Sequence, residues 1–297
     1  MNSPSSSSSG GRRLLAVLAH PDDETFGIGG TLALYARRGV ETYLVCATRG
    51  EAGEAPTGLK GFASVGEMRE DELRSATVIL GLKAVYFLGY RDSGMPNSPD
   101  NHHPDALAAA PLTQVAQQAA GYIRRVRPQV VITFDPIGGY RHPDHIAIHQ
   151  ATVEAFRMAG DPSQDIEDLP PYAPQKLYYS TFSRRFLRWA VWLIRLLGRD
   201  PRRFGRNKDI DLASLAEVDF PVHASVPVRE VARLKDQASA CYVSQGGGIG
   251  GPVRWLFRWF GGSETFMRAY PGTPPPHLER DLFEGVEQSG ESRATVG

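Results

Sequence analysis

The sequence predicts an α/β fold: a Rossmann-like, doubly wound, mostly parallel sheet with a C-terminal elaboration. Three observations lead there. Short apolar, β-branched runs, Leu14-Leu15-Ala16-Val17-Leu18-Ala19 and Val130-Val131-Ile132-Thr133-Phe134, read as strands buried on both faces. Strand and helix signals alternate from residue 12 to about 160, the rhythm of a parallel sheet. Each apolar run leads straight into a His/Asp cluster, His20-Pro21-Asp22-Asp23-Glu24 or His142-Pro143-Asp144-His145. Open α/β sheets bind their ligands at that edge, beyond the carboxyl ends of the strands.

The elements follow in order. Strand 13–19 precedes a helix at 28–38 that Gly39 ends, and strand 41–48 leads into a polar, Gly-rich loop, 49–65. A helix at 66–80 stops at Gly81, a helix-ending residue. Strand 83–88 opens a long loop, 89–106, then a helix at 112–127 ends before Pro128 and strand 129–134 reaches the second cluster. Long loops in compact domains are functional or disordered, and both of these leave strands on the active edge. Beyond 160 the rhythm loosens, with strands at 176–181 and 218–224 and a helix at 226–241. The organisation predicted is a disordered Ser-rich tail (1–12), a catalytic core (13–160), a subdomain completing the substrate cleft (161–271) and a tail (272–297).

Thirty-three basic residues balance 33 acidic ones, which argues against a nucleic-acid binder. Cys46 and Cys241 form no spacing motif, and Cys46 sits in an apolar run that predicts a buried thiol. No apolar run approaches the roughly 20 residues of a membrane span, and the run after Arg13 is too short for a signal peptide. The expectation is a cytoplasmic protein.

His20 and Asp23 flank a Pro-containing turn and can share a side, leaving Asp22 displaced but close. Pro143 suits the first helical position and Asp144 the first turn, so His142 and His145 can both face the cleft. Two imidazoles and a carboxylate with an open fourth position form the ligand set of a hydrolytic zinc site. The structural alternative makes Asp22 and Asp144 simple helix caps, with the histidines merely hydrogen-bonded. Two such clusters on matching strand ends favour the metal.

Four motifs carry a family resemblance: Ala19-His20-Pro21-Asp22-Asp23-Glu24, Gly66-Glu67-Met68-Arg69-Glu70-Asp71-Glu72-Leu73, Tyr90-Arg91-Asp92-Ser93-Gly94-Met95 and Gly138-Gly139-Tyr140-Arg141-His142-Pro143-Asp144-His145. The chain resembles the PIG-L/LmbE-like deacetylases, which remove the acetyl group from N-acetylglucosamine conjugates, and among them the mycothiol-pathway enzymes. The resemblance implies that His20, Asp23 and His145 bind zinc, with Fe²⁺ or Co²⁺ also compatible. It implies that Asp22 is the general base on zinc-bound water, that His142 protonates the leaving amine or stabilises the oxyanion, and that Asp144 orients the His142 ring. Tyr140 would sit on a mobile loop near the oxyanion, and Arg69 and Asp92 would contact substrate. The bland readings are a salt bridge within its own acidic helix start for Arg69 and an Asx-turn for Asp92. His149 is expected at the surface or behind a ligand, and His102-His103 in solvent.

Two departures touch the substrate side. Thr25 stands where the mycothiol enzymes usually have serine, and Tyr242, in Lys235 to Gln245, stands where many relatives have histidine. All four tryptophans lie in two Arg/Trp-rich segments, one around Trp189 and Trp192, the other around Trp255 and Trp259. The reading favoured is that these cover the cleft or join subunits of a homo-oligomer; association with a membrane surface is the lesser one. The function predicted is metal-dependent deacetylation of a small N-acetylated amino-sugar conjugate. An amidase acting on a thiol-sugar conjugate and a non-catalytic carbohydrate-binding protein are the alternatives. A nucleotide-binding oxidoreductase is set aside because the first turn lacks G-x-G-x-x-G.

Overall fold

The computed structural model describes residues 11–55, 58–181, 184–203, 211–246 and 262–287. The Ser-rich stretch 1–10 and the Trp255/Trp259 segment fall outside them. Among the described residues seven strands form one sheet: β1 (Arg13–Leu18), β2 (Glu41–Thr48), β3 (Ala84–Tyr90), β4 (Val130–Phe134), β5 (Lys176–Thr181), β6 (Ala224–Pro227) and β7 (Ser263–Tyr270), in the order β3-β2-β1-β4-β5-β7-β6. The first five run parallel, and β7 is antiparallel to both β5 and β6. The helices are α1 (Asp23–Arg37), α2 (Val65–Leu80), α3 (Leu112–Val126), a single turn α4 (Gly138–Arg141), α5 (Pro143–Gly160), α6 (Arg184–Leu196), a short α7 (Leu212–Leu215) and α8 (Ala232–Cys241). α3 packs with α5, and α1 with α2 and α8, so two helical groups sandwich the sheet. The doubly wound α/β fold is as predicted.

The winding turns back between β1 and β4. From β1 the chain lays down β2 and β3 on one side, then crosses over to set β4 on the other side of β1. Leu14 and Leu15 pair with Val130 and Val131, and all four are fully buried. The segments leaving β1 and β4 therefore emerge side by side at the switch point where such sheets bind ligands.

Local chemistry sets the helix ends. Ser64 accepts the Glu67 N–H at 3.1 Å while the Glu67 carboxylate accepts the Ala63 N–H, a reciprocal cap that starts α2. Gly81, with φ 80°, ends it. α1 begins at Asp23, not 28, with a kink at Ile28. The glycines there obscured the helix, and one of them is required by packing: a Cβ on Gly30 would lie 2.7 Å from the Val228 Cβ.

The C-terminal half differs from the sequence reading in its last two strands and in its tail. Its strands β5, β6 and β7 join the same sheet as the first four. The strand expected at 218–224 is confined to Ala224–Pro227. β7 went unread because its inward Glu264 breaks the apolar alternation; that buried carboxylate accepts the Gly30 and Thr31 N–H groups at 3.0 and 2.7 Å. The segment after Pro271 also returns to the core. Leu282 and Phe283 are buried, and Glu279 meets Lys176 and Arg268, each at 2.8 Å, and the Tyr178 hydroxyl.

Candidate metal and catalytic site

The two clusters meet at the switch point. His20 Nδ1 lies 3.2 Å from His145 Nε2 and 3.4 Å from Asp23 Oδ2, and His145 Nε2 lies 3.2 Å from Asp23 Oδ1. Ligands about 2.0–2.1 Å from a tetrahedral ion stand about 3.3–3.4 Å apart, so these three side chains fit a metal of that size. The far nitrogen of each ring is already engaged. His145 Nδ1 is 3.2 Å from the Gly138 carbonyl and His20 Nε2 is 3.0 Å from Asp144 Oδ2. Such contacts fix the tautomer and leave the inner nitrogens as lone-pair donors. The His145 ring also stacks on Phe134, 3.9 Å between centroids. Gly138, with φ 67°, has room for no side chain, because a Cβ would lie 2.9 Å from that of His145. Two further groupings of possible donors also centre on His20, one with His142 and His145 and one with Asp92 and Asp144.

The charges are those of a cation site. Burial alone would lower the basicity of His20, but Asp92, Asp144 and Asp23 around it hold its pKa well above the usual value. Asp23 and Asp92 would likewise be raised by burial, yet the facing imidazoles, His145 first for Asp23 and His20 for Asp92, hold both below the ordinary carboxylate range. A proton on His20 thus balances a cluster of carboxylates, a task a divalent ion can take over.

Asp22 stands beside this set. Its backbone is left-handed (φ 111°, ψ −29°), a conformation that costs a non-glycine residue about 1–3 kcal/mol and persists only where its surroundings impose it. Its carbonyl accepts the Thr25 and Phe26 N–H groups, its own N–H goes to Glu24 Oε2 at 3.1 Å, and its carboxylate accepts Arg69 Nη2 at 3.1 Å. Burial pushes its pKa up to about 7 against the pull of the Arg69 guanidinium.

Asp144 does not orient the His142 ring through its carboxylate, contrary to expectation. That carboxylate serves His20 and takes the N–H (2.8 Å) and hydroxyl of Ser93; only the Asp144 backbone N–H reaches His142 Nδ1, at 3.2 Å. His142 is pushed down to about 2, by burial first and then by His20 and His145, so it is neutral with its proton on Nε2. Tyr140 packs edge-on against His145, 5.0 Å between centroids, and against the apolar cluster of Val191, Leu212 and Leu215. Burial raises its phenol pKa.

Arg69 is buried (4% exposed), and its described hydrogen bonds go to Asp22 and to the Pro21 and Gly50 carbonyls, not to its own acidic helix start. Asp92 makes the Asx-turn, accepting the Gly94 N–H at 2.8 Å, and also lies 3.4 Å from His20 Nε2. His149 is buried, not at the surface, and hydrogen-bonds the Phe134 carbonyl at 2.8 Å. His102 is exposed and His103 half-buried. Sequence reasoning missed the role of Ser93, although it lies in a quoted motif, and missed the buried pair Glu24–Tyr242, 2.6 Å between Oε1 and the hydroxyl.

Residues 15–156 match the PIG-L family, described as GlcNAc-PI de-N-acetylase. A 1D-myo-inositol 2-acetamido-2-deoxy-alpha-D-glucopyranoside deacetylase from Geodermatophilus obscurus is 37% identical over 291 residues, 93% of this chain and 98% of that protein. The chain belongs to the PIG-L family. A protein of the same name from Thermobifida fusca is 45% identical over 192 residues, 61% of this chain and 65% of that protein. A conserved protein of known structure from Thermus thermophilus superposes with a TM-score of 0.58 at 25% identity, covering 89% of this chain and 96% of that one. Every candidate site residue from His20 to His145 lies inside the PIG-L match, whereas Tyr242 and Glu264 lie beyond it. Deacetylation, the reaction class the motifs implied, is that of the PIG-L family.

Proposed function

We propose that this PIG-L chain removes the acetyl group from 1D-myo-inositol 2-acetamido-2-deoxy-alpha-D-glucopyranoside, using zinc held by His20, Asp23 and His145. The observation that carries the metal is the 3.2–3.4 Å spacing of those donors. The substrate comes from the full-length relative that shares it by name. Zinc, when bound, lowers the pKa of a water toward 7 and polarises an amide carbonyl; iron or cobalt suits the same donors.

Asp22 is suited to accept the proton of the attacking water, since it flanks the ligands, keeps a side chain 19% exposed and has a pKa near 7. His142 is suited to donate Nε2–H to the carbonyl oxygen as negative charge develops there. Its low pKa favours that role over delivery of a proton to the leaving amine. Tyr140 flanks the same imidazoles. The contacts of Arg69 favour holding Asp22 over touching substrate, and Asp92 is suited to steady His20 rather than bind a sugar.

Two free cysteines suit a cytoplasmic enzyme. The packing of Leu187, Val191 and Ile194 of α6 toward Ile137 and Tyr140 favours a cover over the cleft. The test is to incubate the zinc-loaded chain with the inositol conjugate, N-acetylglucosamine and an S-conjugated thiol sugar, and to follow amine and acetate. Release from the inositol conjugate first is the expected result. Preference for the thiol conjugate would transfer the assignment to the amidase.

A further inference from the structure

One buried carboxylate in this site is neither a metal donor nor a partner of any described cation. Glu24, fully buried, spends Oε2 on the Asp22 backbone N–H (3.1 Å) and Oε1 on the hydroxyls of Thr25 and Tyr242, the latter at 2.6 Å. Tyr242 is itself fully buried at the C-terminal end of α8, with its ring 5.8 Å from that of Phe26. The next turn is pinned to α2, because Ser244 gives its N–H and hydroxyl to Glu72 at 2.8 and 2.6 Å. A chain of contacts therefore runs from α2 through Ser244, Tyr242 and Glu24 to Asp22, whose backbone is held left-handed beside the metal donors.

We infer that Tyr242 and Glu24 are positioning residues for the base: through its hydroxyl, Tyr242 fixes the Glu24 carboxylate that holds Asp22 at φ 111° beside the metal donors. The inference rests on the reading of Asp22 as the base. Arg69 fixes the far end of the Asp22 side chain and Glu24 fixes its backbone, so the carboxylate is constrained from both ends. Thr25, already bonded to the same Oε1, cannot replace Tyr242, since its hydroxyl sits on the neighbouring residue and moves with the turn it would have to hold. Both oxygens of the Glu24 carboxyl group are used, one by each partner. A glutamine could keep both contacts by turning its NH2 to the Tyr242 hydroxyl, which can also accept, whereas methionine, close in length, offers no strong acceptor to either partner.

A double-mutant cycle on the full, zinc-loaded chain tests this, with amine release from the inositol conjugate followed under single-turnover conditions. Tyr242→Phe keeps the buried ring and removes only the donor. It should lower kcat roughly tenfold, short of the roughly 10²-fold that a misplacement of about 1 Å can cost, with KM within about twofold, bound zinc unchanged and the protein folded at the assay temperature. Glu24→Met, which removes both acceptors and leaves the Tyr242 ring untouched, should reproduce the loss. In an Asp22→Ala background Tyr242→Phe should change kcat by less than about twofold, because a residue acting through Asp22 has nothing left to position. An equal fractional loss in both backgrounds, loss of zinc, or no loss in either single variant would overturn the inference alone. Full turnover by Asp22→Ala would remove the base reading and this inference with it.

Discussion

The Asp144 carboxylate lies 3.0 Å from His20 Nε2, joining residues 124 positions apart. The same group takes the N–H and hydroxyl of Ser93, so it ties together the segments that leave β1, β3 and β4. With Nε2 engaged there, the His20 ring turns Nδ1 toward Asp23 and His145. A carboxylate behind an imidazole in this way raises the donor strength of the ring and fixes its tautomer.

Asp144→Asn should therefore weaken metal binding while leaving the three donors in place. The expected loss in affinity is roughly 10- to 100-fold, read by competition with a chelator of known strength. Unchanged affinity would mean that the His20 ring is held by other contacts.

The two histidines of the second motif should separate cleanly. His145→Ala removes a donor and should leave the purified protein without stoichiometric metal. His142→Ala should bind metal normally and lose turnover on the scale of a removed oxyanion donor, roughly 10²–10³-fold. Equal metal loss in both variants would make His142 a ligand.

Glu279 gives a prediction about the fold alone. It is buried against Lys176, Arg268 and Tyr178, so Glu279→Ala strands the buried Lys176 ammonium and takes the carboxylate from the half-buried Arg268. The expected destabilisation is about 3–5 kcal/mol, measured by urea unfolding. A loss below about 1 kcal/mol would show that these cations find water instead.

What the sequence disclosed follows the range of its signals. β1 and β4 are apolar runs, and His20, Asp22 and Asp23 directly follow the first while His142 and His145 follow the second across one short loop and a helical turn. Their convergence needed only the rule that ligands bind at strand ends. Which atoms meet is decided by register between strands far apart in sequence. Asp144 is two residues from His142, yet its carboxylate faces His20 because Leu14–Ala16 pair with Val130–Ile132. Glu264 and Glu279 were opaque for a different reason. A buried carboxylate reads as a surface residue until its partners, the Gly30 and Thr31 amides or Lys176 and Arg268, are known.

The central claim, that Asp22 is a base beside a metal held by other side chains, is met most directly by one paired measurement. Wild type and Asp22→Ala are loaded with zinc under the same conditions, and bound metal and amine release from the inositol conjugate are determined on the same samples. Equal zinc in both proteins is expected, with a loss of turnover of roughly 10²–10⁴-fold in the variant, the contribution of general base catalysis. Loss of zinc from Asp22→Ala would make Asp22 a ligand in place of Asp23, and retained turnover would deny it the proton; either result contradicts the account.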